Sequence, residues 1–201
     1  MSKPTLVAWR QRLFAPVDGA SLAVFRIVFG AFVAIDAWRY LAYGWVRAYY
    51  IEPQIHFTYF DFDFVRPWPG DWMIVHFAVM SGVALLVAAG LFYRVSAPLL
   101  ALLYGYVFLL EASVYMNHHY LMALLALLLA CLPAHHALSI DRRRGVVARE
   151  SVLFGAVVLV RFQLAIVYLY GALAKLNVDW LGGEPMYSTL VRRADEVPAL
   201  A

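Results

Sequence analysis

Residues 72–93 read WMIVHFAVMSGVALLVAAGLFY, with no Asp, Glu, Lys or Arg among them. A bilayer core of about 30 Å asks for roughly 20 consecutive apolar residues in a helix. The run reads as a membrane span, and the remainder of the chain is read outward from it. His76 falls in its first turn, as an interfacial hydrogen-bonder or as a ligand.

Composition agrees with that reading. Hydrophobic residues make up 64% of the 201 and charged residues 14%, against about 25% charged in soluble domains. Mean hydropathy is +0.73, and a soluble core of this length has no room for so much apolar surface. The net charge of +3 is not gathered into one large basic surface, which argues against a nucleic-acid partner. Cys131 is the single cysteine, so an internal disulfide and a CxxC pair are excluded. The opening residues lack the continuous apolar stretch of a cleaved signal peptide. The absence of an Asn-x-Ser/Thr sequon leans toward a bacterial setting.

The expected fold is all-α, a polytopic membrane bundle of about five transmembrane helices over residues 21–43, 72–93, 96–114, 119–133 and 152–174. A cytoplasmic, basic lead-in occupies residues 1–20 and carries Lys3, Arg10 and Arg12. The membrane domain covers 21–190, and a tail covers 191–201. The first helix contains Arg26, Asp36 and Arg39. A buried arginine satisfied by carbonyls or carboxylates inside the bundle accounts for the first of these. Residues 44–71 are too polar to span and rich in Tyr and Trp, which places them along the membrane surface. Arg94 marks a turn, and Pro98 is expected in the first turn of the third helix. His135 and His136 read as part of an ordinary polar loop.

Basic loops stay cytoplasmic, so Arg142, Arg143, Arg144 and Arg149 orient the chain. The N-terminus then lies in the cytoplasm and the C-terminus outside. That orientation gathers Glu111, Asn117, His118, His119 and Lys175 on one outer face. Lys175 follows a long apolar run, where it either snorkels to the interface or serves chemistry. A lysine in a low-dielectric pocket is a usable base. His118 and His119 can shuttle a proton or position an anion, and Asn117 can hydrogen-bond a phenolic or carbonyl oxygen. Glu111 can instead pair with Lys175 and make it structural. Arg161, Tyr168 and Lys175 recur every seven residues and share a stripe, with Tyr168 a candidate substrate contact or a packing residue. No carboxylate cluster or His-x-x-x-His pair suggests a metal site.

Several stretches resemble the vitamin K-dependent gamma-glutamyl carboxylase family, whose membrane part is also called the horizontally transferred transmembrane domain. They are SLAVFRIVFG, RPWPGDWM, AGLFYRVSAPLL with YGYVFLLE, the segment Asn117-His118-His119-Tyr120-Leu121, and RFQLAIVYLYGALAKLNVDW. They keep the family's order and cover nearly all of residues 15–190. The resemblance implies an enzyme that oxidises reduced vitamin K or a related hydroquinone with oxygen and couples this to carboxylation of glutamate. It implies Lys175 as the base toward the hydroquinone, His118 near the glutamyl carbanion chemistry and Asn117 beside the quinone. Here Ala174 stands where a lysine precedes the family's base, Asn177 where an aspartate is found, and His119 where serine is common. Family members continue into further spans and an outer soluble domain. The end at Ala201 reads as a truncated product, one piece of a split enzyme, or a relative without carboxylation.

The implied partners are the bilayer, a lipid quinone, and a glutamate-containing protein substrate or a second membrane subunit supplying helices. The implied location is a bacterial inner membrane with the active face periplasmic. The competing reading is a non-catalytic membrane subunit that holds a quinone, pigment or haem, with His76 or His118 as axial ligand. A third is a maturation or immunity factor for a secreted peptide.

Overall fold

The computed structural model describes residues 6–196. Lys3 and the end of the expected tail, residues 197–201, lie outside the described residues. The chain divides into two compact units, Met1–Val160 and Arg161–Ala201.

In the first unit a short helix α1 (Leu6–Leu13) leads into strand β1 (Pro16–Asp18) and helix α2 (Ala20–Ala42). After a π-helical turn at Arg47–Ile51 and an irregular aromatic connection come α3 (Trp72–Ala89), α4 (Tyr93–Leu110) and α5 (Asn117–Cys131). The short helix α6 (Ile140–Arg143) and strand β2 (Ser151–Leu153) precede α7, Phe154–Ala174, whose later part belongs to the second unit. Helix α2 packs on α3, α3 on α4, and α4 on α5. The strands pair antiparallel, with Pro16 opposite Leu153 and Asp18 opposite Ser151. That pairing ties the entry of α2 to the entry of α7. The second unit continues with α8 (Val178–Leu181) and α9 (Glu184–Glu196).

Among the described residues four helices, α2, α3, α4 and α7, are long and apolar enough to cross a membrane. At 1.5 Å per residue the 18-residue α3 and α4 reach about 27 Å. Helix α5 is apolar but has only 15 residues. The architecture is the all-α membrane bundle that the sequence predicts.

Helix α2 buries Leu22, Ala23, Arg26, Phe29, Gly30, Val33, Ala34, Ala37 and Tyr40, a spacing of three and four. Its other face exposes Val24, Val28, Phe32, Ile35 and Trp38, a surface suited to lipid. Small residues let α2 and α3 approach closely. A Cβ on Gly30 would lie 2.7 Å from the Ala84 oxygen and the Ala88 nitrogen. Ser81 adds a hydrogen bond to the Ala34 carbonyl at 3.1 Å.

Arg26 is fully buried, and backbone carbonyls meet both of its Nη groups while its Nε has no partner. Its Nη1 donates to Ala134 at 2.8 Å and to Ala137 at 3.4 Å, and its Nη2 to Leu138 at 2.7 Å and to Ala88 at 3.3 Å. One side chain thus clamps the segment after α5 onto α2 and α3, as expected for a cation inside a bundle.

Several local expectations are corrected. The turn between α3 and α4 is Gly90–Phe92, with Gly90 at φ +63° and Phe92 at φ +49°. Arg94 is therefore helical, and Pro98 lies in the second turn of α4 rather than the first. The helix starts early because Asp141, from α6, accepts the Phe92 and Tyr93 amides at 2.9 and 2.8 Å. A carboxylate from a distant segment caps that end, in the place where a local side chain would ordinarily serve. Helix α4 ends at Leu110, because Glu111 is extended and opens a 3-10 turn over Ala112–Val114. Helix α5 starts at Asn117, so Asn117, His118 and His119 form its first turn. His135 is not in an ordinary polar loop. It is 4% exposed, and its ring lies 4.8 Å from that of Tyr93. Burial, with His136 beside it, pushes its pKa down to about 4.

Candidate functional site: an aromatic cavity and an outer cleft

The first unit holds a small cavity of about 30 Å³, part of it open to the outside. Helix α2 contributes Asp36 and Tyr40, the π-helical turn Tyr50, and the connection Tyr59. Phe77 and Met80 come from α3, and Tyr104 and Phe108 from α4. Glu111, Tyr115 and His119 close the end where α4 passes into α5. The walls are mostly rings. Tyr40 stacks on Phe77 with centroids 5.3 Å apart, and Tyr59 stacks on Phe108 at 5.2 Å.

Polar groups interrupt these walls. The Tyr59 hydroxyl is buried without a hydrogen-bond partner, and burial raises its pKa, with Tyr115 and Glu111 adding to the effect. Asp36 pairs with Arg39 on its own helix at 3.3 Å. Glu111 is 5% exposed. Its Oε2 meets His56 Nδ1 at 3.0 Å, while Oε1 accepts the Phe57 and Ser113 amides at 3.2 and 3.1 Å. Burial alone would raise the Glu111 pKa. The bonds from Ser113, His56 and Phe57 outweigh it and hold the carboxyl below its usual value.

On the other side of that pair lies a polar cleft of about 410 Å³, lined by Gln54, His56, Thr58, Asp63, Val65, Arg66 and Pro67. The connection is pinned around it. Thr58 donates to Asp63 at 2.5 Å, Tyr106 donates to the Arg66 carbonyl at 2.6 Å, and the Ala112 amide donates to the Phe57 carbonyl at 2.6 Å.

The structure brings two of the expected residues, Glu111 and His119, to one cavity. Asn117 and His118 are exposed in the first turn of α5, with the His118 ring edge-on to His119 at 4.4 Å. Lys175 lies in the second unit, just beyond α7. It is exposed, with Nζ 5.1 Å from the Trp180 ring. Asn177 has a structural task there, since its side chain accepts the Trp180 amide at 2.9 Å and caps α8. Tyr168, on α7, is exposed. His76 accepts from Trp68 Nε1 at 3.3 Å through Nδ1 and reaches the Leu103 carbonyl through Nε2 at 3.1 Å. It is thus a buried hydrogen-bonder, with neither nitrogen free in this arrangement.

Sequence reasoning missed Asp36, Tyr40, Tyr50, Tyr59, Tyr104 and His56 as cavity or cleft residues. Asp36 carried a signal, being a carboxylate inside an apolar helix. The tyrosines carried none, because interfacial and cavity-facing aromatics look alike in sequence. Among the described residues, no three His, Cys, Asp or Glu side chains gather as a metal site.

No solved structure matches the chain. The HTTM-domain family model matches residues 14–200, nearly the whole of the bundle just described. The chain belongs to the HTTM-domain family, which is the membrane domain of the vitamin K-dependent gamma-carboxylases.

Proposed function

We propose that this chain is a quinone-handling membrane domain that oxidises a lipid hydroquinone in the manner of the vitamin K-dependent carboxylases. The aromatic cavity carries the reading. The space between its rings is only about 30 Å³, so a ligand enters by parting them. The lining is mostly apolar with a few placed polar groups, as in small-molecule sites. The ring walls of Tyr40, Phe77, Tyr104 and Phe108 suit a flat aromatic head. The unpartnered Tyr59 hydroxyl suits one of its oxygens, since a buried donor left without a partner is costly until something meets it. Asp36 and His119 are the other polar groups available to orient such a ligand.

Reduced vitamin K, when bound, supplies through its reaction with oxygen the strong base needed to remove a γ proton of glutamate. The chain's own residues hold the ring, keep bulk water from it and manage protons. By the family resemblance, Lys175 takes a phenolic proton on Nζ, while Asn117 hydrogen-bonds a quinone oxygen and His118 serves the glutamyl side. The Arg142–Arg144 segment orients the bundle with that face outward from a bacterial inner membrane. The glutamyl partner and any further subunit belong to the same proposal.

The test is oxygen-dependent oxidation of reduced vitamin K by the purified chain in lipid nanodiscs. Lys175→Ala is expected to lower the rate about a hundredfold or more while leaving insertion and thermal midpoint unchanged. Equal turnover with alanine removes Lys175 from the mechanism. A purified wild-type protein that carries a porphyrin or chlorin absorption band and turns over no hydroquinone favours the pigment-holding subunit instead.

A further inference from the structure

We propose that His56 and Glu111 form a proton relay joining the aromatic cavity to the polar cleft outside it. Glu111 lines the cavity and His56 lines the cleft, and the two meet through the 3.0 Å bond from Nδ1 to Oε2. The bond therefore crosses the wall between two spaces of different polarity.

A purely structural pin does not explain the imidazole. The backbone of Phe57 already fastens the connection to the end of α4. Its amide donates to Glu111 Oε1, and its carbonyl accepts the Ala112 amide. Those two bonds hold the register whatever stands at position 56. An imidazole adds the ability to gain a proton on one nitrogen while losing one from the other. Asp36, the other carboxylate on the cavity, pairs with Arg39 of its own helix and leads nowhere further.

The proton balance closes on one passage. In the resting pair Nδ1–H donates to the Glu111 carboxylate. A proton shed by an acid in the cavity neutralises that carboxylate. The ring then turns over, takes the proton from Glu111 on Nε2 and releases its Nδ1 proton to water in the cleft, which leaves Nε2–H donating to the carboxylate. One proton has entered and one has left, and the pair again holds a carboxylate and a neutral ring. No electron moves. The relay rests on the quinone reading only for the natural source of the proton, which hydroquinone oxidation would supply.

The test uses a photoacid in that role. The full chain in nanodiscs is loaded with 2-naphthol, a phenol that becomes strongly acidic on excitation, and compared with empty nanodiscs. Naphtholate emission reports transfer within the cavity, and a pH dye in the buffer reports arrival outside. Wild-type protein is expected to show both. Glu111→Gln keeps an acceptor for the Phe57 and Ser113 amides and is expected to lose the protein-dependent emission. His56→Ala is expected to keep the emission but delay arrival at the dye about a hundredfold. Imidazole in the buffer should restore that arrival, which it cannot do for a merely misfolded variant.

Unchanged arrival in His56→Ala, or no rescue by imidazole, overturns the relay, as does unchanged emission in Glu111→Gln. Naphthol that binds wild-type protein without transferring its proton overturns the relay and leaves the cavity reading standing. Naphthol that does not bind at all overturns both.

Discussion

The Arg26 guanidinium donates to the carbonyl of Leu138 at 2.7 Å, across 112 residues of sequence. Leu138 adopts φ +47°, so the clamp holds a loop backbone that would otherwise avoid that conformation. Three more carbonyls, of Ala88, Ala134 and Ala137, share the same side chain.

Removing that cation leaves several buried acceptors without a donor. Arg26→Met is expected to cost about 3 kcal/mol or more and to lower the thermal midpoint in detergent. Arg26→Lys keeps the charge but loses the planar fork and should recover only part of the loss. A midpoint unchanged in both variants would show that the carbonyls find other donors.

The α2–α3 seam has a sharper local control. Gly30→Ala places a methyl 2.7 Å from backbone atoms of α3, which cannot rotate away. The expected cost is about 1–3 kcal/mol. Gly82 sits on α3 with open space around its would-be Cβ. Gly82→Ala should therefore be neutral or stabilising by up to about 1 kcal/mol. Melting the two variants side by side tests whether close helix approach or glycine content matters.

His135 is buried with neither ring nitrogen hydrogen-bonded. Its pKa falls from the ordinary 6.5 to about 4 on folding, so the unfolded chain binds more protons between those values. The stability this neutral ring permits is full above about 6.5 and is lost as pH falls toward about 4. His135→Phe keeps the stacking on Tyr93 and removes the unsatisfied nitrogens. It is expected to raise the midpoint at pH 5 more than at pH 7, as thermal scans across that window would reveal. An equal effect at both pH values would mean that the ring does not titrate there.

Tyr59→Phe separates stability from binding. Deleting an unpartnered buried hydroxyl should leave the empty protein as stable or slightly more so. Affinity for a hydroquinone head should fall roughly tenfold, the equivalent of one lost hydrogen bond of about 1.4 kcal/mol. Equilibrium dialysis against nanodiscs measures it, and unchanged affinity would show that this hydroxyl does not meet the ligand.

Much of the membrane architecture was legible in residue order alone. Lipid offers no hydrogen bonds, so apolar runs of sufficient length have one economical state, the helix. This is why residues 72–93 announced a span and why Arg26 announced an interior contact. Glu111 and His119 were legible as polar groups flanking one turn, with nothing to show that they border the same cavity. The early start of α4 was hidden because its cap is Asp141, 48 residues away. His135 was hidden because burial of a loop residue depends on what folds over it.

The sequence by itself determined that this chain is a helical membrane protein, where its apolar helices run, and, through the resemblance, the family to which it belongs. Only the tertiary structure decided which face of each helix meets protein, which tyrosines line a cavity, and that His56 meets Glu111 across 55 residues. Lipid tails are as apolar as leucine, so hydrophobicity does not mark the packed side of a membrane helix. That choice falls to small residues, buried hydrogen bonds and the fit of one surface on another.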